Sequence, residues 1–234
     1  GLAIVRQLVD EGARAVIACG GDGTANAVLQ ALVGQPIPLG IVAGGSGDDV
    51  AASLGMATGS PGATGAWLVR ALAEARTTAV DVARAQAADG SSRYYLSVLC
   101  TGFDASVNER ANGLPRLGGQ RYHVAMVREL ATFRPLPYRV TLDQAEHTGN
   151  AMLVSVGNGP RFGGGMRICP AADLSDGLLD LTWVDQLSRT NLLRVFPQVY
   201  KGTHVHHAAV RTMRARSVRI EVPGQIAYAD GERI

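Results

Sequence analysis

The stretch Cys19-Gly20-Gly21-Asp22-Gly23-Thr24 lies between an apolar segment, residues 15–18, and a segment with helical spacing, residues 24–32. This order predicts a strand, a glycine loop and a helix. Glycines let the backbone approach a ligand closely, and amide groups at a helix N-terminus point toward anionic oxygen. A carboxylate such as Asp22 is tolerated beside phosphates mainly when a magnesium ion lies between them. The stretch therefore favours a phosphate-binding loop, with an ordinary strand-to-helix turn as the alternative.

The same alternation continues on both sides of this loop. Helical spacing at residues 1–10 and 66–75, with a short apolar strand at 38–42, predicts an α/β unit that extends to residue 79. A second glycine turn, Gly44-Gly45-Ser46-Gly47, leads into another predicted helix at Asp48. Because an α/β unit normally has a strand ahead of its first helix, we expect that strand to be missing from this chain.

The pattern changes after residue 79, where short alternating or apolar segments dominate. The segments predicted as strands are 80–85, 94–100, 138–142, 152–156, 178–184 and 218–222. Residues 120–133 and 189–200 are predicted as helices within this mainly antiparallel β part. We therefore expect two domains, residues 1–79 and 80–234.

The composition excludes several classes of protein. With 47% hydrophobic residues, 18% charged residues and a formal net charge of +2, the chain has the make-up of a globular domain and not of a nucleic-acid binder. Lys201 is the only lysine, so a Walker-type phosphate loop or a protein-kinase strand lysine has almost nowhere to lie. Three scattered cysteines without Cys-x-x-Cys spacing argue against a disulfide framework and favour the cytoplasm. The arginines between residues 211 and 219 are interpreted as the solvated face of a strand.

Other glycine motifs fit this chain less well than a phosphate loop. Asn26 stands where a dinucleotide-binding fingerprint requires glycine, and the turn at Gly44 lacks the closing glycine of a nucleophile elbow. Taken in order, the motifs resemble the diacylglycerol kinase catalytic domain family, which includes sphingosine kinases and bacterial lipid kinases. The resemblance runs nearly end to end and rests on Gly20-Gly21-Asp22-Gly23-Thr24-x-Asn26, Gly45-Ser46-Gly47-Asp48-Asp49, Val80-Asp81-Val82, Gly102-Phe103-Asp104, Gly163-Gly164-Gly165, Asp176-Gly177-Leu178-Leu179-Asp180 and Asp230-Gly231-Glu232.

This resemblance implies a two-domain lipid kinase. Its α/β nucleotide domain would be related to phosphofructokinase and NAD kinase, and its C-terminal domain would be a mainly antiparallel β-sandwich. ATP would lie in the cleft between them, Mg²⁺ would be the cofactor, and diacylglycerol or a related glycerolipid is the expected acceptor. By the same resemblance, the carboxylates of Asp22, Asp49 and Asp81 would hold magnesium against the phosphates. The residues expected to line the nucleotide are Gly20, Gly21, Gly23, Thr24, Gly45 and Ser46.

The resemblance also places the catalytic base at Asp230, with Glu232 beside it. A carboxylate in a glycine-containing turn is able to take the proton of an attacking hydroxyl, although Asp-Gly is also a common β-turn sequence. Asp173 and Asp176, with the carbonyl of Leu178, match a structural magnesium loop of bacterial members. Oxygen ligands in a short turn suit a hard cation, and a solvated loop without metal is the alternative.

Three positions depart from the family pattern. Ala27 stands where glutamate is usual, Asp48 where asparagine is usual, and Ala52 where many members have arginine. Asp48 beside Asp49 adds negative charge close to polyphosphate, so an unusual nucleotide preference stays open. Two other functions also stay open: an NAD-kinase-like kinase of a soluble substrate, and a non-catalytic lipid- or nucleotide-binding relative. The asparagine–glutamate pair expected of NAD kinases is not evident.

No apolar run approaches the roughly 20 residues that span a bilayer, so membrane contact is expected to be peripheral. The expected partners are ATP and a lipid substrate, with no nucleic acid, and a homodimer is left open. Relatives continue beyond the position of Ile234, so we also expect the C-terminal end to be cut.

Overall fold

The N-terminal part of the chain is an α/β unit. The computed structural model describes residues 2–45, 47–56, 59–114 and 121–234, apart from the side chains of His123 and Ala131. The elements of this part are α1 (Leu2–Asp10), β1 (Val16–Gly20), α2 (Asp22–Leu32), β2 (Leu39–Ala43), α3 (Asp49–Ser53) and α4 (Pro61–Ala73). Strands β1 and β2 are parallel, with Val16 opposite Leu39 and Gly20 opposite Ala43. The two loops that follow these strands therefore leave the same edge of the sheet.

Helix α2 packs on this sheet through both of its apolar sides. Val28 and Leu32 join Val16 and Ala18 in one buried cluster. Ala25 and Leu29 join Ile41 of β2 in a second buried cluster, which also contains Leu96. Because both clusters are buried, the helix is held in place immediately after the glycine loop that precedes it.

The C-terminal part is mainly antiparallel β. Its elements are β3 (Ala83–Gln86), β4 (Ser92–Tyr95), β5 (Val98–Gly102), α5 (Phe103–Asn112), α6 (Arg121–Thr132), β6 (Leu136–Leu142), β7 (Ala145–Gly157), β8 (Leu179–Asp185), α7 (Arg189–Val199), a 3₁₀ turn (Thr203–His206), β9 (Val210–Ala215), β10 (Val218–Glu221), β11 (Ala227–Ala229) and β12 (Glu232–Arg233). One sheet has the order β10-β6-β7-β5-β11-β12, and β8 joins β7 to β9. The β3–β4 hairpin forms a separate two-stranded sheet.

Strand β7 is the centre of this part, because β5, β6 and β8 all pair with it. Side chains on a strand point to alternate faces, and here the two faces enter different cores. Val154 packs with Leu181 and Trp183 in one core. Leu153 packs in the other with Val184 and with residues of α5 and α7. The expected α/β part followed by a mainly antiparallel β part is therefore confirmed.

Several elements differ from the sequence prediction. The single strand expected at residues 94–100 is two strands, β4 and β5, with a break at Leu96 and Ser97. The break arises because the amides of Leu96 and Ser97 donate to the carboxylate of Asp230. Helix α5 and strand β9 were not predicted, and α3 begins one residue after the expected start because Asp48 has a left-handed backbone, with φ 54°. Within the described residues, none of the helices is long and apolar enough to cross a membrane.

Candidate functional site

The two glycine loops touch each other. The amide of Gly44 donates to the carbonyl of Gly20 at 3.2 Å, which extends the pairing of β1 and β2 into the loops. A Cβ on Gly21 would lie 2.9 Å from the Cα of Gly45, and a Cβ on Gly45 would lie 2.6 Å from the Cα of Gly21. Backbone approaches backbone here, so no side chain fits between the loops. Ser46, predicted to line the nucleotide, lies outside the described residues.

Helix α2 begins directly at the first loop. The amides of Thr24 and Ala25 both donate to the carbonyl of Gly21, at 3.0 and 3.1 Å. Gly20 has φ 153°, and a Cβ there would lie 2.5 Å from Oγ1 of Thr24. Thr24 therefore packs back on the loop while the helix N-terminus faces the adjoining Gly45 turn. An exposed helix N-terminus with adjacent glycines is suited to binding an anion.

The carboxylates of Asp22 and Asp49 both lie next to Gly47. A Cβ on Gly47 would be 3.0 Å from Oδ2 of Asp22 and 3.3 Å from Oδ2 of Asp49. Oδ1 of Asp22 accepts from the amide of Val50 at 2.9 Å, so this side chain also holds the start of α3. The structure thus brings together two of the three carboxylates that were predicted to hold magnesium.

Asp49 also joins the two parts of the chain. Its two carboxylate oxygens accept from the amides of Gly164 and Gly165, each at 2.7 Å. Burial raises the pKa of Asp49, the negative charge of Asp22 raises it further, and the two amides oppose the shift. The glycine-rich segment 163–165 therefore has a structural role at this junction that its sequence alone did not indicate.

Asp81, the third predicted carboxylate, has different contacts. Its Oδ2 accepts from the amide of Gly177 at 2.7 Å, and its own amide donates to the carbonyl of Leu174 at 2.6 Å. Asn158 donates to the carbonyl of Asp81 at 3.0 Å. Among the hydrogen bonds of the described residues, the Asp81 side chain is joined to the 173–178 loop and not to the glycine loops. No hydrogen bond of the described residues links it to a residue that also bonds the carboxylate of Asp22 or Asp49.

The 173–178 loop was predicted as a structural magnesium site, and its carboxylates already have partners. Oδ1 of Asp173 accepts from the amide and hydroxyl of Ser175, at 2.9 and 2.7 Å, and Oδ1 of Asp176 accepts from the amide of Leu178 at 2.9 Å. The other oxygen of Asp176 is bonded to Arg214. Within the described part of the chain there is no cluster of three or more His, Cys, Asp and Glu side chains placed to hold a metal. The guanidinium of Arg214 thus lies on the Asp176 carboxylate where the sequence predicted a cation, and the metal role of Asp173, Asp176 and Leu178 stays a prediction.

Arg214 of β9 therefore has more than the solvated role that its sequence pattern suggested. Its Nε also donates to Oδ2 of Asp180 at 3.2 Å, and the Asp180 side chain is only 10% exposed. We expect Arg214→Met to lower the free energy of unfolding by about 1–3 kcal/mol, because the buried Asp180 loses its charged partner. Thermal unfolding of the wild-type protein and of Arg214→Met, each with EDTA and with Mg²⁺, measures this effect.

The same measurement tests whether the guanidinium replaces a cation. EDTA should leave the Tm of the wild-type protein unchanged, whereas Mg²⁺ should raise the Tm of Arg214→Met. The matched control is Arg216→Met, since Arg216 is exposed two residues further along and its loss should cost less than about 0.5 kcal/mol. A fall in wild-type Tm on addition of EDTA that is absent in Asp173→Asn would show that the loop does bind a metal.

Asp230 lies in the turn between β11 and β12 with a left-handed backbone, φ 48°. Its oxygens accept from the amides of Leu96 at 2.8 Å and Ser97 at 2.9 Å, and from Nδ2 of Asn26 at 3.1 Å. Burial raises the pKa of the Asp230 carboxyl, and the hydrogen bonds from these three groups partly oppose it. A carboxylate with a raised pKa is better suited to accept a proton near neutral pH.

Glu232, the second predicted catalytic residue, lies between this turn and the first glycine loop. Its Oε1 is 3.7 Å from the position that a Cβ on Gly23 would take, and its Oε2 is 3.6 Å from a guanidinium nitrogen of Arg93. The Glu232 side chain is 45% exposed. The structure therefore brings both predicted catalytic residues to helix α2, which starts at the first glycine loop.

A small apolar cavity lies in the C-terminal part, beneath α5 and α7. Two polar groups face it. Oδ2 of Asp104 and Nδ1 of His204 are buried and have no hydrogen-bond partner among the described residues. Burial raises the pKa of the Asp104 carboxyl to about 7 and lowers the pKa of His204. A wider cavity of about 350 Å³ beside α5 is lined by charged groups, including Glu109 and Glu129, so it is less suited to an apolar ligand.

Three features of the site were not predicted from the sequence. Asn26 belongs to a motif but had no role assigned to it, yet it is only 1% exposed and contacts Asp230. Arg214 was assigned to a solvated face, and the amides of Gly164 and Gly165 were not assigned to Asp49. A buried polar residue four positions after Asp22, on the same face of a helix, was the available signal for Asn26.

Comparison with known proteins shows the family and the fold to which the chain is similar. The model of the "Diacylglycerol kinase catalytic domain" matches residues 1–85, and that of the "YegS C-terminal NAD kinase beta sandwich-like domain" matches residues 97–234. A "Diacylglycerol kinase" of Mycobacterium tuberculosis is 44% identical over 227 residues, which cover 96% of this chain and 72% of that protein. A "Probable lipid kinase YegS-like" of Stenotrophomonas maltophilia is 28% identical over 229 residues, 94% of this chain and 72% of its own length.

Solved structures give the same fold. A putative diacylglycerol kinase from Bacillus anthracis aligns with a TM-score of 0.72 and 24% identity, over 99% of this chain and 75% of that one. The fold and the relatives together define a two-domain phosphotransferase of the lipid kinase class. More narrowly, the chain belongs to the diacylglycerol kinase family.

Proposed function

We propose that this protein transfers the γ-phosphoryl group of ATP to the hydroxyl of diacylglycerol or a related glycerolipid, in a magnesium-dependent reaction. The observation that carries the proposal is the direct link between the candidate base, Asp230, and helix α2, which follows the first glycine loop. Asn26 of α2 hydrogen-bonds Asp230 at 3.1 Å, and Glu232 reaches Gly23 at the start of the same helix. Proton acceptor and phosphate site are therefore close enough to act on one substrate hydroxyl.

The phosphate end would be formed by the two glycine loops. The N-terminus of α2 and the backbone of Gly45 would bind the phosphate oxygens through amides, with Thr24, Gly20, Gly21 and Gly23 lining the same surface. Asp22 and Asp49 offer oxygen ligands of the kind magnesium prefers, and phosphates supply the remaining ligands in many kinase sites. Bound there, magnesium would neutralise charge on the transferred group.

The acceptor end would be formed by Asp230. Its carboxylate takes the hydroxyl proton, while Glu232 lies at the mouth of the site and is paired with Arg93. Asp81 would act on the site through the 173–178 loop, because its hydrogen bonds lead there. These roles are assigned from the contacts of each side chain together with the family to which the chain belongs.

Two observations support a lipid acceptor. The relatives named above are called diacylglycerol kinase and probable lipid kinase. Helix α7 and the turn after it also expose Leu193 by 57% and Tyr200 by 49%, with Arg194 and Lys201 exposed beside them. Exposed apolar side chains next to basic ones are suited to an anionic membrane surface, so we propose peripheral contact through α7.

The test is a phosphorylation assay on a panel of acceptors. Purified protein with ATP and Mg²⁺ is presented with diacylglycerol, monoacylglycerol and sphingosine in vesicles containing about 30% anionic lipid. Two further reactions test the alternative functions: one contains NAD as the acceptor, and the other contains no acceptor. Phosphorylated diacylglycerol or another glycerolipid supports the proposal. Phosphorylation of NAD, or nucleotide binding with no transfer to any lipid, overturns it.

A further inference from the structure

Asn26 is buried inside a network that spans both parts of the chain. Its Nδ2 donates to Oδ2 of Asp230 and to the carbonyl of Tyr94, each at 3.1 Å. Its Oδ1 accepts from Nε of Arg93 at 3.0 Å and from Nε2 of Gln30 at 3.2 Å. A side-chain amide has two donor hydrogens and two acceptor lone pairs. All of them are used, and the residue is 1% exposed.

The network also fixes which way this amide points. An arginine Nε only donates, so the oxygen of Asn26 must face Arg93. The nitrogen then faces Asp230, and it presents a donor to a group that only accepts when ionised. An amide that has its orientation set in this way stabilises the ionised form of the carboxylate in one geometry.

We propose that Asn26 is a positioning residue. It holds the Asp230 carboxylate in its reactive orientation and joins it to helix α2, which follows the first glycine loop. This inference rests on the proposed function, because it takes Asp230 to be the base. Asn26 lies about one helical turn beyond Asp22, so the loop and the amide move together with α2. The distance between the phosphate site and the base is thereby set by one rigid helix.

Gln30 supplies a matched control within the same helix. Its Oε1 accepts from the amide of Tyr94 at 3.0 Å, and its Nε2 donates to the carbonyl of Tyr94 at 2.8 Å. Gln30 therefore ties α2 to β4 much as Asn26 does. It also donates to Asn26, but none of its hydrogen bonds within the described residues reaches Asp230. A purely structural role for Asn26 predicts the same result for variants at both positions.

The groups around Asp230 determine how its pKa changes when Asn26 is replaced. Leu96 and Ser97 present backbone amides, Tyr95 presents a buried hydroxyl, and Arg93 and Glu232 form an ion pair alongside. The backbone groups of Leu96, Ser97 and Val98 and the side chain of Asn26 lower the pKa of Asp230 and so favour the ionised carboxylate. Removing the Asn26 donor leaves the burial of Asp230 unchanged and takes away one of the hydrogen bonds that lower its pKa.

The experiment measures kcat and kcat/KM of the full chain against pH for Asn26→Leu, Asn26→Asp and Gln30→Leu. We expect the acid limb of kcat/KM to move up by about one pH unit in Asn26→Leu, and further in Asn26→Asp, which places a second carboxylate against Asp230. The kcat at the optimum should fall roughly 10–100-fold in both. Gln30→Leu should lower Tm about as much as Asn26→Leu does, and it should leave the acid limb of kcat/KM where it is.

The outcomes separate this inference from the proposed function. If Asp230→Asn is inactive and the acid limb is the same in Asn26→Leu, Asn26→Asp and Gln30→Leu, Asn26 has only a structural role and the inference fails alone. If Asp230→Asn retains activity, the assignment of the base fails first. An acid limb that shifts in both Asn26 variants and not in Gln30→Leu supports the inference.

Discussion

Asp230→Asn should reduce phosphoryl transfer by roughly 10²–10⁴-fold while the protein still binds ATP. The carboxylate is the only group of that side chain that takes a proton, and an amide does not replace it. Asparagine is the appropriate substitution because it tolerates the left-handed backbone at this position, where φ is 48°. Single-turnover transfer from labelled ATP, together with calorimetric nucleotide binding, measures the two effects separately.

The substitution also has a structural cost that the binding measurement must control. The amides of Leu96 and Ser97 both require an acceptor, and the NH₂ group of the introduced asparagine would face one of them. An unpaired buried amide costs about 1–3 kcal/mol. Retained ATP affinity and a cooperative unfolding transition would show that the loss of transfer does not come from unfolding.

Glu232→Gln is the matched comparison, because Glu232 lies two residues further along, at the start of β12, and is 45% exposed. Its loss removes a charge at the mouth of the site and the pairing with Arg93. We expect a fall of about tenfold or less, since an exposed ion pair contributes little. Transfer by Asp230→Asn within tenfold of the wild-type rate would contradict the assignment of Asp230 as the base.

The sequence predicted the parts of this site that are local in the chain. The glycine loop at residues 20–24 was recognised because a strand, glycines and a helix follow one another within a short stretch. The hydrogen bond between Asn26 and Asp230 joins residues 204 positions apart, and no local pattern indicates such a contact. The bond of Arg214 to Asp176 is of the same kind, with a separation of 38. Contacts of this type depend on the folded arrangement of both parts.

The missed elements of the fold have a related explanation. Residues 94–100 are apolar enough for one continuous strand, but the Asp230 carboxylate takes the amides at 96 and 97 away from strand pairing. Helix α5 has few buried apolar residues, namely Phe103, Ala105 and Ala111, so its helical periodicity is weak. The local sequence pattern determines the structure of the long apolar strands, whereas tertiary contacts determine the structure of residues 94–100 and of helix α5.

The contact between the two glycine loops sets how closely they can hold a phosphate group. Gly21 and Gly45 follow β1 and β2, whose register is fixed by pairing up to Gly20 and Ala43. A Cβ on Gly45 would meet the Cα of Gly21 at 2.6 Å and Oδ1 of Asp48 at 2.9 Å. Asp48 accepts from the amide of Gly45 at 2.9 Å, so the side chain cannot move away without breaking that bond. The loops would have to separate, and the parallel strands behind them resist it.

Gly45→Ala should therefore raise the KM for ATP by about 10²-fold, because a displacement near 1 Å at a phosphate site is enough for a loss of that size. Overpacking should also lower the free energy of unfolding by about 1–3 kcal/mol. Gly44→Ala is the control, since a Cβ there would lie 3.9 Å from the Cα of Gly20, at ordinary contact distance, and it should leave both quantities near their wild-type values. Steady-state kinetics and thermal unfolding of the two variants measure the difference. A wild-type KM in Gly45→Ala would contradict the proposal that the two loops jointly form the phosphate site.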